Sequence, residues 1–336
     1  VFVLPVAAQV NTGTIEVNTH GPEGGVLPGV AVLVINTETG ARRATVSDAR
    51  GLAIIPALNP GRYEVSVSLS GFAPAEQEIV IRLGQTAKVA FSMSVMVTAS
   101  ISVTAEVPMV DVYKSDTSTN VTPEQIRDLP VPSRDFQKLA FIAPGVQRER
   151  GGFRFIGGSA LIGSSGNASE TAIVIDGVDF TDQVLGLARA SFSQDAIGEF
   201  KVINNRFDTE IGSSAGGALS VVTKSGTNAI HGSVFGFYRS DALRAVGELE
   251  EGTQDYGRYQ LGFSLGGPIK RDRTHYFLSY EYIDEDSITF FRPQGAFADL
   301  AEDIPAPVFA HLGLASLDHQ IGGEQKLGFK LVYEKS

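Results

Sequence analysis

From residue 12 to residue 93, apolar and polar positions alternate in short runs broken by turn residues. GTIEV (residues 13–17) is followed by HGPEGG, and VAVLVI (30–35) by NTETG. Tyr63, Val65, Val67 and Leu69 alternate with Glu64, Ser66 and Ser68, and further runs cover 80–83 and 89–93. Period-two alternation at this spacing, punctuated by Gly, Pro and Asn, predicts a small β-sandwich. From 109 to 227 the pattern is mixed. Thr122-Pro123-Glu124-Gln125 predicts a helix start, with a Thr cap, Pro in the first turn and Gln closing a capping box. Ser133 is expected to cap a second short helix through Leu139. Residues 172–175 read as a buried strand ended by Asp176-Gly177, a strong tight-turn signal. Residues 200–203 and 218–223 read as two more strands.

After residue 227 the alternation lengthens. Leu261, Phe263 and Leu265 alternate with Gly262, Ser264 and Gly266. Tyr276, Leu278, Tyr280 and Tyr282 alternate with Phe277, Ser279 and Glu281, and Leu327, Phe329, Leu331 and Tyr333 with Gly328, Lys330 and Glu334. One face is apolar and aromatic; the other is small or polar. A barrel wall between lipid and a wet lumen requires this pattern. A soluble sandwich strand also alternates, but tyrosines gathered on one face favour a membrane interface. KRDR (270–273) reads as a short polar turn between two such strands.

Composition narrows the function classes. The 336 residues are 43% hydrophobic and 19% charged, with 37 glycines and no Cys or Trp. The net charge of −11 argues against nucleic acid as a partner, which would require clustered Lys and Arg. No apolar run is long enough for a membrane helix, but barrel strands need only about 9–11 residues each. VFVLPVAAQ (1–9) reads as the tail of a secretory signal peptide, with Val6 and Ala8 before the cut and residues 1–8 as the remnant.

Candidate chemistry is sparse. His20-Gly21-Pro22-Glu23 fits an H-x-x-E zinc pattern, but it lies in a Gly/Pro-rich turn without a third ligand. Asp176, Asp179 and Asp182, near Asn167, could offer oxygens to calcium; a solvated hairpin is the favoured reading. GGSALIGSSG (157–166) lacks the G-K-[ST] ending of a phosphate loop, and no G-x-S-x-G elbow occurs. No catalytic residue, metal site or cofactor is expected.

Three strings carry a resemblance: ETAIVIDGVDFTD (170–182), AIGEFKVINNRFDTEIGSSAGGALSVVTKSGTNAIHGSVFGFYRS (196–240) and GGPIKRDRTHYFLSYE (266–281). Their order resembles the late plug and first barrel strands of TonB-dependent outer-membrane receptors. LPVPSRDFQKLAFIAPGV (129–146) is similar to the same plug. LPGVAV, TGARRATVSDARGLAIIPALNPGRYEVSVSLSGF and GQTAKVAFSM resemble a carboxypeptidase-regulatory-like domain, the N-terminal module of the Oar-like branch. The resemblance implies a mainly β chain: a sandwich at 12–94, a linker at 95–108, an α/β plug at 109–227 and the start of an antiparallel transmembrane barrel at 228–336. It also implies a non-enzymatic, plug-gated uptake function in the outer membrane, with the sandwich in the periplasm. Partners would be a TonB-type energy-coupling protein, outer-membrane lipid and a transported ligand that the sequence does not identify. SVTAEVP (102–108) resembles a TonB box, formed by Ser102, Val103, Thr104, Ala105 and Glu106. Such a box works as an unpaired strand added to the partner's sheet. Asp176 and Gly177 are assigned a structural role as the plug turn.

Receptors of this type have about 22 strands, and roughly five are expected after residue 227 at about 9–11 residues each. Open edges are not tolerated in lipid. The expectation is therefore a fragment, cut within the signal peptide and again early in the barrel. The alternative is a secreted or surface β-rich adhesion or glycan-binding protein without transport.

Overall fold

The computed structural model describes residues 11–95, 117–129, 131, 134–148, 160–162, 170–182, 188–204, 214–243, 256–286, 288–291, 302–322 and 325–335. Strands dominate it, and no helix among these residues is long and apolar enough to cross a membrane.

The first seven strands are β1 (Gly13–His20), β2 (Ala31–Asn36), β3 (Arg42–Val46), β4 (Leu52–Leu58), β5 (Gly61–Ser68), β6 (Ala75–Ile81) and β7 (Thr86–Ser92). They form two sheets, ordered β4-β1-β7 and β3-β2-β5-β6. The alternation read from the sequence sets the inward faces. Ile15, Val17, Val34, Val65, Ile79 and Phe91 are buried in one core between the sheets. Each such side chain contributes about 1.5–3 kcal/mol on leaving water.

The second module has β8 (Thr117–Val121), α1 (Pro123–Asp128), a 3₁₀ turn at Phe136–Ile142, β9 (Val146–Arg148), β10 (Ala160–Ile162), β11 (Thr171–Ile175), β12 (Val178–Asp179), β13 (Ile197–Asn204) and β14 (Gly217–Thr223). The main sheet runs β12-β11-β14-β13-β8, with β11 and β14 parallel and the other neighbours antiparallel. β9 and β10 pair separately. Phe200, Val202 and Leu219 pack one face of this central sheet against Ile126, Phe136 and Leu139. The capping box at α1 is complete: the Thr122 side chain accepts from the Gln125 N–H, and the Gln125 side chain accepts from the Thr122 N–H. The second helical turn covers Phe136–Ile142, and its expected cap, Ser133, lies outside the described residues. It is 3₁₀ rather than α, and Asp135 caps it by accepting from the Gln137 N–H at 3.0 Å. Arg134, just before it, has φ 52°, outside the right-handed helical region.

The third module is a five-stranded antiparallel sheet, the wall. Its order is β15 (His231–Ser240), β16 (Gly257–Lys270), β17 (Thr274–Asp286), β20 (Val308–Ile321) and β21 (Gln325–Lys335). The hairpin β18 (Ile288–Phe291) and β19 (Glu302–Pro305) lies within the long connection from β17 to β20. The wall inverts the usual burial rule, under which apolar side chains hide and charges stay wet. Phe329 is 63% exposed and Leu261 56%, whereas Glu281 is 1% exposed and Arg258 6%. The outward face carries Tyr238, Tyr259, Phe263, Tyr280 and Phe329; the inward face turns toward the central module. Among the described residues the five strands do not close on themselves.

The two ends of the wall differ. At one end the β16–β17 turn spans only residues 271–273, and β20 passes to β21 through 322–324. At the other, β15 reaches β16 through 241–256, and β17 reaches β20 through 287–307.

Candidate functional site

Two sets of contacts bind the central module to its neighbours, one to the wall and one to the sandwich. The wall contacts begin with the turn at Asp176-Gly177, which joins β11 to β12. Both residues have positive φ, 49° and 86°, the backbone that a tight hairpin needs. Asp176 accepts from the Thr223 N–H at 3.0 Å and from its hydroxyl at 2.7 Å. The same carboxylate pairs with Lys330 Nζ from the wall at 2.7 Å, and Lys330 also donates to Thr223 Oγ1 at 2.6 Å. The turn therefore holds β11, β14 and β21 together.

A second contact centres on Glu281, an inward residue of β17. One carboxylate oxygen accepts from the Ser193 hydroxyl of the central module, the other from the Gln260 amide of β16. Arg258 on the same inward row pairs with Glu285. Glu334 of β21 accepts from the Ser191 N–H at 2.7 Å. A third contact is aromatic. Arg134 pairs with Asp195 within the central module, and its guanidinium lies 4.2 Å from the Phe235 ring centre and 4.9 Å from that of Phe237 on β15. Gly262 makes room for Phe235, since a Cβ there would fall 2.3 Å from its Cζ.

The sandwich meets the central sheet through the β6–β7 turn. Leu83 is 1% exposed. Its N–H donates to Glu199 on β13 at 3.0 Å, and its carbonyl accepts from the Asn120 amide on β8 at 3.5 Å. Asn11 accepts from the Ser220 hydroxyl on β14 at 3.1 Å. Burial, opposed by the Leu83 hydrogen bond, pushes the Glu199 carboxyl up to about 7. The sandwich also touches the short-turn end of the wall region. The Asn228 N–H donates to the Glu38 carbonyl at 2.8 Å, while the Asn228 side chain exchanges hydrogen bonds with Asp272 at 2.6 and 2.7 Å.

Of the residues singled out from sequence, Asp176 and Gly177 are in this site. Ser102, Val103, Thr104, Ala105 and Glu106 lie outside the described residues, as do residues 1–8 and Asn167. Among the described residues no three His, Asp or Glu side chains converge as a metal site. Asp176 is committed to Lys330 and Thr223, and Asp179 accepts from the Thr181 N–H at 2.9 Å. Sequence reading did not assign Lys330, Glu281, Glu199 or Leu83. The only signal for the first two is a charge on the polar side of an otherwise apolar alternation.

Residues 14–94 match the carboxypeptidase regulatory-like domain family, and residues 222–296 match the outer membrane beta barrel domain family. The chain is 29% identical over 269 residues to the TonB-dependent transporter Oar of Myxococcus xanthus, covering 75% of this chain and 25% of that protein. It thus spans about a quarter of that relative's length. The ferric enterobactin receptor PfeA aligns over 65% of this chain and 32% of its own, with a TM-score of 0.50 and 19% identity, a likeness of fold. Neither relative is an enzyme: one is named a transporter and the other a receptor. By sequence and fold together, this chain is a homologue of TonB-dependent transporters, mostly β, with a carboxypeptidase regulatory-like domain ahead of an outer-membrane barrel segment.

Proposed function

We propose that this chain forms the N-terminal part of an outer-membrane receptor in which the central module plugs a barrel, and that a TonB-type partner energises uptake of a ligand past it. The observation that carries this reading is the inverted wall. Its outward face is apolar and aromatic, as lipid requires, while its inward face offers Glu281, Lys330 and Glu334 to the central module. A soluble protein gains nothing from such an inversion. The sequence relative is a TonB-dependent transporter, which supports energised uptake.

In this reading residues 12–94 are the accessory sandwich, 95–108 the linker carrying the TonB box, 109–227 the plug and 228–336 the first barrel strands. Orientation follows from the connections, since outer-membrane barrels have short periplasmic turns and longer external loops. The sandwich contacts the short-turn end through Glu38 and Asn228, which supports a periplasmic sandwich. Force then enters at Ser102, Val103, Thr104, Ala105 and Glu106, when the partner adds a strand to that segment.

The test is Val103→Pro in a receptor containing this chain. Proline removes the ladder N–H and fixes φ. Ligand binding at the cell surface should persist and energised uptake should be lost. Wild-type uptake by both Val103→Pro and Thr104→Pro would refute the assignment of the box.

A further inference from the structure

The central sheet has one seam that lies closest to any load applied from residues 102–106. β8 is an edge strand, and β13 is its neighbour in the sheet order. Five residue pairs join them, from Phe200–Val121 to Asn204–Thr117. β8 is also the first described element after residues 96–116. Tension on that segment therefore reaches β8 before any other strand of the sheet.

The sandwich sits across this seam. Leu83 donates its N–H to Glu199 on the β13 side and accepts from Asn120 on the β8 side. Asn120 is paired in register with Lys201, which is paired on its other side with Ser220. Ser220 donates to Asn11. One surface of the sandwich thus bonds to β14, β13 and β8, three neighbouring strands in the sheet order. The bonding turn is itself braced: the Gly84 N–H donates to Thr12 at 3.1 Å, and the Thr14 N–H to Gln85 at 2.8 Å. It therefore cannot follow β8 outward without disturbing the start of β1.

We propose that the sandwich is a clasp on the β8–β13 seam, so that β8 leaves the central sheet only after the β6–β7 turn has lifted from Glu199 and Asn120. Residues 96–116 join the sandwich to β8. A pull between them loads the clasp and the strand it covers together. The clasp sets the threshold at which the sheet begins to open. The transport consequence rests on the plug reading given above; the clasp itself can be measured without any partner.

The experiment is hydrogen–deuterium exchange on the whole chain in detergent, read at the β8 amides 118–121 and, as an internal reference, at the β11 amides 172–175. Glu199→Ala removes the acceptor on the sheet side. Asn120→Ala removes the donor on the β8 side of the clasp. Glu199→Gln retains an acceptor for the Leu83 N–H. Asp48→Ala, in a solvent-exposed turn of the sandwich, is the control. The expected result is about tenfold faster exchange at β8 in the two Ala variants, with β11 unchanged, near-normal rates in Glu199→Gln and no effect of Asp48→Ala. Unchanged β8 rates in whichever of the two Ala variants folds would overturn the clasp. Equal acceleration at β8 and β11 would overturn it too, by showing a general loss of stability. Failure of the Val103→Pro uptake test with accelerated β8 exchange would sink the transport reading and leave the clasp standing.

Discussion

Lys330 on β21 lies 2.7 Å from the Asp176 carboxylate, and the two residues come from different modules. The pair is partly shielded, with side-chain exposures of 29% and 20%. Asp176 also accepts two hydrogen bonds from Thr223, so its removal should cost more than removal of the lysine. Lys330→Ala should lower the stability of the chain by about 1 kcal/mol. Asp176→Ala should cost about 2–3 kcal/mol, because it strips a buried donor of its acceptor and places a Cβ-bearing apolar residue at positive φ. Denaturant titration of the three proteins, followed by tyrosine fluorescence, checks the order. Equal losses would show that the ion pair, not the turn, is the main contributor.

Gly177 has φ 86°, and a Cβ there would lie 2.8 Å from the Asn11 amide. Gly177→Val combines backbone strain with a β-branched side chain. It should destabilise the central module by about 1–3 kcal/mol. Calcium titration of the wild-type chain by calorimetry should give no heat. A calcium isotherm abolished by Asp179→Ala would restore the ligand reading of the Asp176, Asp179 and Asp182 series.

Glu199 makes the sandwich contact pH-dependent. Burial raises its carboxyl from 4.5 to about 7; the Leu83 N–H opposes this, as do Arg82 on the sandwich turn and Lys201 on its own strand, while Glu124 in the first turn of α1 adds to it. A raised acid pKa means that the folded contact holds a proton that the unfolded chain has lost. Stability is therefore fully present below about pH 4.5, falls as pH rises through the window to about 7, and levels off above it. The full span is on the order of 3 kcal/mol. The β8 protection factor, which is corrected for the intrinsic pH dependence of amide exchange, should fall across that window in the wild type and stay flat in Glu199→Gln. A wild-type profile as flat as that of the variant would show that the carboxyl titrates normally.

The outward wall face should tolerate no charge in a bilayer. Phe263 is outward on β16, and Ser264, its neighbour, is inward. Phe263→Arg in a membrane-inserted receptor should cost about 2–4 kcal/mol if the site lies at mid-depth. Ser264→Ala should be nearly silent. Heat-modifiability of the barrel on gels separates the two. Similar behaviour of both variants would remove the lipid assignment of this face.

The elements that sequence reading found are those whose signal is local. The sandwich strands and the wall strands follow from alternation, because a strand's two faces see two solvents. Thr122 and Gln125 signal a helix start three residues apart, and their two hydrogen bonds are made within one turn. The 3₁₀ turn was harder. Asp135 caps it, and Arg134 before it has positive φ; Ser133 lies outside the described residues. The Arg134 side chain meets residues remote in the chain, Asp195 and Phe235. The site itself was largely invisible. Lys330 and Asp176, Ser193 and Glu281, and Leu83 and Glu199 each join residues from different modules, and no spacing rule connects them. Glu281 and Lys330 do break an apolar alternation, which says which way they point but not what they meet.

The unequal ends of the wall also differ in what mutation can change there. The turn at residues 271–273 has Asp272 at φ 60° and is locked to Asn228. One inserted residue that slipped β17 against β16 would exchange every outward-facing side chain for an inward-facing one. The connections at the other end, 241–256 and 287–307, are longer, and doubling the length of a flexible loop costs only about 0.6 kcal/mol. Lineages can therefore diversify one rim by insertion while the opposite rim stays frozen. For the same reason, a foreign epitope spliced into the long connection should be displayed without disturbing the strand pairing beneath it.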